Sequence, residues 1–211
     1  MGLHQAAGRT VEADEAWCER LIRAPLSAIR QWLTAKEWDE HGPWVDAQAA
    51  WITRRLLGAT VREVPSHGDF VPENCVWDRQ AGGLLQVVDW ELFEEAGLPM
   101  VDWVTFLGCA YRPQVRAQMR ARGEDPSQVK FHGYPAIFLE GPLRQALERY
   151  LDRVGLDRGL LLPWLFMWWV RQLHDWAPLL LYHPAWRRLR VFPVIERWKR
   201  VFNGVQREVA G

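Results

Sequence analysis

The chain carries His67-Gly68-Asp69-Phe70-Val71-Pro72-Glu73-Asn74, then two short apolar runs around Asp78-Arg79-Gln80-Ala81-Gly82-Gly83, then Val87-Val88-Asp89-Trp90-Glu91. No other stretch constrains the fold as much. Cys75 to Trp77 and Leu84 to Asp89 read as two strands, and the glycine-ended stretch between them supplies a turn. A hairpin returns its second strand to the edge where the first began. It therefore brings Asn74, ahead of the first strand, to the same edge as Asp89, at the end of the second. Asn74 lies five residues after Asp69, and Asp89 fifteen after Asn74. Mg²⁺ wants hard oxygen donors and takes one or two from protein beside water and phosphate. An Asn/Asp pair suits that demand.

The same residues carry a resemblance. His-Gly-Asp, an Asn five after the Asp, an apolar strand ending in Asp-Trp-Glu, and a further Asp about a dozen residues on are similar to the marks of the aminoglycoside phosphotransferase/choline kinase family, within the protein-kinase-like fold. The further Asp is Asp102, in Gly97-Leu98-Pro99-Met100-Val101-Asp102-Trp103. The match is dense over Ser66 to Trp103 and thin elsewhere. Leu98 stands where the family commonly has Asp, and Glu73 where it often has Gly; a positive φ at position 73 would strain a Glu.

The resemblance implies an α+β, mostly helical fold: a protein-kinase-like C-lobe with one short β-hairpin carrying the catalytic and metal loops. The chain would be one such domain over 1–211, with leading helices over 1–58, the catalytic loop and hairpin over 59–103, and a helical subdomain over 104–211. It implies an enzyme, a small-molecule phosphotransferase moving the γ-phosphoryl of ATP or GTP, held with Mg²⁺, to a hydroxyl of a small-molecule acceptor. Asp69 would be the base and Asn74 and Asp89 the metal ligands. His67, Glu91 and Asp102 would brace the loop or stand behind the metal ligands; the family's His mainly packs and hydrogen-bonds. Which hydroxyl compound is accepted is a matter of the pocket, not of the fold.

A complete kinase of this kind has a β-rich N-lobe with a phosphate-covering loop and a strand lysine. Neither is read here. Lys36 is the one lysine before the loop, and it sits in the polar stretch Thr34-Ala35-Lys36-Glu37-Trp38. The N-lobe is expected to be absent, which leaves three accounts: a partner chain supplies it, the chain is a truncated product, or it is a catalytically silent binding or regulatory module.

Charge narrows the field further. The 26 basic and 26 acidic residues cancel, so no general affinity for polyanions is implied and no nucleic-acid partner is expected. The acids Asp69, Glu73, Asp78, Asp89, Glu91, Glu94, Glu95 and Asp102 crowd the centre against Arg79 alone, while residues 182–211 are basic. Cys18, Cys75 and Cys109 form no metal-like spacing and read as reduced core thiols. The N-terminal stretch has no apolar targeting segment, and the apolar run from Leu160 to Val170 is too short to span a bilayer. A cytoplasmic protein without a membrane partner is expected.

Periodicity predicts helices over Val11–Arg23 and Pro25–Thr34, a break at His41-Gly42-Pro43, and a helix over Trp44–Leu57 closed by Gly58. Thr60–Val64 reads as a strand. Asp102 reads as the N-cap of a helix to Ala110. Further helices are predicted over Pro113–Arg122, Gly141–Val154, Leu160–Ala177, Pro184–Arg190 and Pro193–Asn203, with a loop from Gly123 to Pro135. The chain has 14 tryptophans. Trp164, Trp168, Trp169 and Trp176 share one predicted helix, where such spacing usually means core. Trp168, His174 and Asp175 are kept as substrate-binding candidates. Because neighbours on a helix do not face each other, His174 and Asp175 are read as one lining a cleft and the other exposed.

Overall fold

The computed structural model describes residues 7–203 except 79, 81, 124, 126–134, 182–194, 197, 200 and 201, and only the backbone of 32, 85, 135, 136 and 176–181. The expected helix at 184–190 lies outside the described residues. The protein is α+β and mostly helical, with two small antiparallel sheets. Among the described residues no helix is long and apolar enough to cross a membrane.

The first element is a strand, β1 (Arg9–Glu12), where a helix was expected. Arg9 pairs with Glu63 and Val11 with Val61 of β2 (Thr60–Ser66). The helix begins only at α1 (Glu15–Cys18), because Asp14 is extended and its carboxylate accepts the Trp17 N–H at 2.7 Å. A π-helical turn (Glu19–Arg23) leads into α2 (Ala24–Trp32).

The break expected at His41-Gly42-Pro43 does not occur. α3 runs unbroken over Ala35–Leu56 with Pro43 inside it. An interior proline costs a helix roughly 3 kcal/mol. Two features offset that cost here. Thr34 and Glu37 form a reciprocal capping box that secures the first turn. His41, Val45, Ala49, Ile52 and Leu56 are buried at helical spacing, so one continuous face anchors both sides of the proline. Gly42 has room for no side chain, since a Cβ would run into the Trp38 indole.

β3 (Cys75–Asp78) and β4 (Gly83–Val87) form the hairpin. β5 (Glu94–Gly97), not foreseen, pairs antiparallel with β2, giving the order β1-β2-β5. Then come α4 (Val101–Ala121), α5 (Gly141–Val154) and α6 (Leu161–Leu181). α4 passes through Pro113, which is exposed, so the helix expected from Pro113 is the second half of α4. In α6 every residue from Trp164 to Val170 is buried, as in a helix surrounded by others. One apolar cluster gathers α1 to α6 with Ile195, Trp198 and Phe202. The small sheets lie at its edge and carry the polar loops.

Candidate functional site

The loop between β2 and β3 is built around Asp102. That residue is 6% exposed, and its carboxylate accepts three hydrogen bonds: from Ser66 Oγ at 3.0 Å, from the His67 backbone N–H at 2.8 Å and from the Gly68 N–H at 2.9 Å. A buried carboxylate needs such donors to be tolerated. Asp102 is not the helix cap. Met100 holds that position, and Asp102 in the first turn turns its side chain to the loop. Gly68 has φ +83°, and a Cβ there would lie 2.6 Å from the Leu92 Cβ, so only glycine fits.

His67 ties the loop to the residues after β4. Its Nε2 lies 2.8 Å from the Val88 carbonyl, which can only accept, so Nε2 carries the proton. Nδ1 is then the acceptor for the Asp69 N–H at 3.4 Å. The ring packs against Trp90, with centroids 4.5 Å apart, and His67 is 3% exposed. It is a loop-positioning group with both nitrogens engaged.

Asp69 and Asn74 meet directly. The Asn74 amide donates from Nδ2 to the Asp69 carbonyl at 3.0 Å and to Asp69 Oδ2 at 3.4 Å. That leaves Asn74 Oδ1 as the atom a cation could use. Residues Pro72–Asn74 form a 3₁₀ turn, and Glu73 within it has no positive φ. Asp89, by contrast, has φ +66°; it is the one non-glycine residue with positive φ among the described residues. Asp tolerates this region better than most side chains, and such outliers gather at functional sites. The Val88 N–H donates to the Asn74 carbonyl at 3.0 Å. The hairpin thus joins the end of the loop to the residue before Asp89.

The pKa of Asp69 is raised, first by burial and then by the negative charges of Asp89 and Glu73; His67 and the Asn74 amide pull it down. Asp69, Asp89 and Glu73 therefore share one negative field. Asp89 and Glu91 are exposed. Among the described residues no three His, Cys, Asp or Glu side chains converge as a metal-holding group. Asn74 Oδ1 and the Asp89 carboxylate are oxygen donors that a cation could use here. That set fits Mg²⁺ carried on phosphates and does not fit a protein-caged metal.

The remaining candidates lie elsewhere. Trp168 is buried in the core, where its indole N–H donates to Thr105 Oγ1 at 2.9 Å. His174 and Asp175 correct the expectation that helix neighbours stay apart. His174 Nδ1 lies 3.0 Å from Asp175 Oδ1, and Asp175 also accepts from Arg171 Nε at 2.7 Å. Arg171 in turn reaches Glu94 of β5 at 2.5 Å. A short carboxylate side chain bends along the helix surface, so spacing alone did not reveal this chain of pairs. It ties α6 to the strand that follows Asp89 and Glu91.

Beside the loop lies a cavity of about 450 Å³. Its wall includes His67, two residues before Asp69, and Phe70, which follows it, together with Trp77 and Leu84 of the hairpin and Trp103 and Phe106 of α4. Sequence reasoning missed these aromatic residues because they come from separate elements and share no spacing. No protein-family model, curated protein or solved structure matches this chain.

Proposed function

We propose that the protein is a small-molecule phosphotransferase with a protein-kinase-like C-lobe, similar to the aminoglycoside phosphotransferase/choline kinase family. The observation that carries the reading is the joint placement of Asp69, Asn74 and Asp89: an Asp braced by an Asn amide, linked through the Asn74–Val88 backbone bond to a strained, exposed Asp. Asp69 accepts the proton of the acceptor hydroxyl as its oxygen attacks the γ-phosphorus of ATP or GTP. The bond to the bridging oxygen breaks and the nucleoside diphosphate leaves. Burial and the charges of Asp89 and Glu73 raise the basicity of Asp69, which favours proton acceptance. Asn74 and Asp89 would hold Mg²⁺, which supplies neutralisation of the phosphate charge. Asp102 and His67 keep the loop in register.

A second reading, a silent binding or regulatory module or a lobe completed by a partner chain, is favoured by Lys36. That residue lies in the first turn of α3 and not on a strand.

Calorimetry of Mg²⁺-dependent ATP and GTP binding separates the two. Asp89→Asn is the control, since Asn tolerates positive φ and leaves the backbone unstrained. Metal-dependent binding that this variant loses supports the phosphotransferase; no binding at millimolar nucleotide sinks the stand-alone enzyme.

A further inference from the structure

The cavity beside the loop has flat aromatic walls. Trp103 and Phe106 are stacked with their ring planes parallel within 1° and their centroids 6.1 Å apart, and Phe70 stacks on Phe106 at 5.1 Å and 25°. Its mouth is apolar: Trp77 and Leu84 are 51% and 46% exposed. Its size falls in the range that takes a ligand of a few fused rings.

Four polar side chains of the wall are engaged inside the protein. Both Asp102 oxygens accept from the loop, His67 Nε2 donates to Val88, the Trp90 indole N–H donates to the Val87 carbonyl at 2.8 Å, and the Tyr150 hydroxyl donates to the Pro99 carbonyl. A charged ligand group entering this space would lose its water and meet no free counter-charge. An ammonium could lie against the rings, where the ring faces alone would attract it. Among the described residues the one acid of the wall, Asp102, is already bound three times. The buried Trp103 indole N–H has no partner among the described residues. A ligand carrying one hydrogen-bond acceptor on an otherwise flat apolar body suits such a wall.

We infer that the aromatic cavity flanked by His67 and Phe70 binds a planar, uncharged aromatic group, and that this group is the body of the hydroxyl acceptor. The assignment of the ligand as acceptor rests on the phosphotransferase reading, because Phe70, which follows Asp69, and His67, two residues before it, form part of the cavity wall. The ligand class itself rests on the wall alone. A polycationic amino sugar is the wrong partner for it.

The test uses the full chain and two probes, 2-naphthol and tetramethylammonium, followed by calorimetry and ligand-observed NMR. 2-Naphthol binds and tetramethylammonium does not. Leu84→Glu, on the exposed hairpin and checked for native circular dichroism, weakens 2-naphthol binding by about tenfold or more by setting a charge at the apolar mouth, while Leu84→Met leaves it near wild type. Binding of tetramethylammonium in preference to 2-naphthol, or 2-naphthol affinity unchanged in Leu84→Glu, overturns the inference. So does displacement of 2-naphthol by ADP alone, which would make the cavity a nucleotide site. An Mg²⁺–ATP titration on the same sample keeps the two ideas apart. Nucleotide binding without 2-naphthol binding sinks this inference only. 2-Naphthol binding without nucleotide binding removes the phosphotransferase reading and the acceptor role with it, and leaves the ligand class standing.

Discussion

Asp102 accepts the backbone N–H of His67 at 2.8 Å although the two are 35 positions apart, and it accepts the Gly68 N–H as well. Helix α4 therefore holds the loop through one side chain. Asp102→Ala leaves two backbone donors and the Ser66 hydroxyl buried without an acceptor, which costs about 3 kcal/mol or more. Asp102→Asn retains one oxygen but turns an NH₂ towards a donor, and costs about 1–2 kcal/mol. Urea unfolding should rank the stabilities as wild type, Asn, Ala. Amide exchange should quicken first at His67 and Gly68. Equal stability of all three would remove Asp102 from its bracing role.

Asp69 is held at a cost to the fold. Its raised pKa means that the folded protein binds the proton more tightly than the unfolded chain does. The stability contributed by the neutral form is complete below the ordinary Asp value of 3.8 and is lost as pH rises through the higher folded value. At neutral pH the charged group is thus a burden. Asp69→Asn should raise the thermal midpoint in metal-free buffer at pH 7, and on the phosphotransferase reading proposed above it should abolish transfer. If transfer is measured, its acid limb should lie above the pKa of an ordinary Asp. A lower midpoint for Asp69→Asn would contradict the electrostatic account.

The loop and hairpin were legible because their signals are local: fixed spacing, turn residues and two apolar runs. Even there, β4 ends at Val87 and Asp89 leaves the ladder with positive φ, which no residue type announces. β1 and β5 were not legible. Val11 also fits the helical pattern of Trp17 and Leu21, and Glu94-Glu95-Ala96-Gly97 lacks strand formers. Both segments become strands by pairing with β2. Arg20 also reaches the Ala96 carbonyl and Glu63, and Arg171 reaches Glu94. Pro43 and Pro113 read as punctuation, yet the buried faces of α3 and α4 carry the helix through each. Tertiary burial outweighs a local breaker when both flanks are anchored.

His41 gives the fold an acid sensitivity of opposite sign to that of Asp69. Its side chain is 2% exposed, and Nδ1 lies 3.0 Å from Lys199 Nζ and 3.4 Å from Glu196. Burial lowers its pKa and Lys199 lowers it further, against the raising pull of Glu40, Glu196 and Glu37. Folding therefore favours the neutral ring. The stability it contributes is present above the ordinary value of 6.5 and is lost as pH falls towards the lower folded value. The thermal midpoint of the wild type should drop between pH 7 and about pH 5, and His41→Gln should flatten that drop. An unchanged profile in the variant would assign the loss to other groups.

The cysteines offer a test of the core that needs no ligand. Cys18, Cys75 and Cys109 are free and buried. Burial is the leading cause of the raised pKa at each, and at Cys109 it pushes the thiol up to about 12 even though Arg112 donates to its sulfur at 3.1 Å. Alkylation proceeds through the thiolate, so both access and ionisation are suppressed. Iodoacetamide at pH 8 should leave the native protein unlabelled over minutes and label all three thiols once guanidinium unfolds it, as read by intact mass. Cys75 is the informative one, because its Sγ sits 3.4 Å from the Val71 carbonyl beneath the 3₁₀ turn that holds Asn74. Its labelling rate in the native protein reports how often that turn opens. If Cys75 reacts as fast as a free thiol, the loop does not hold Asn74 against Asp69, and the geometry of the proposed site fails with it.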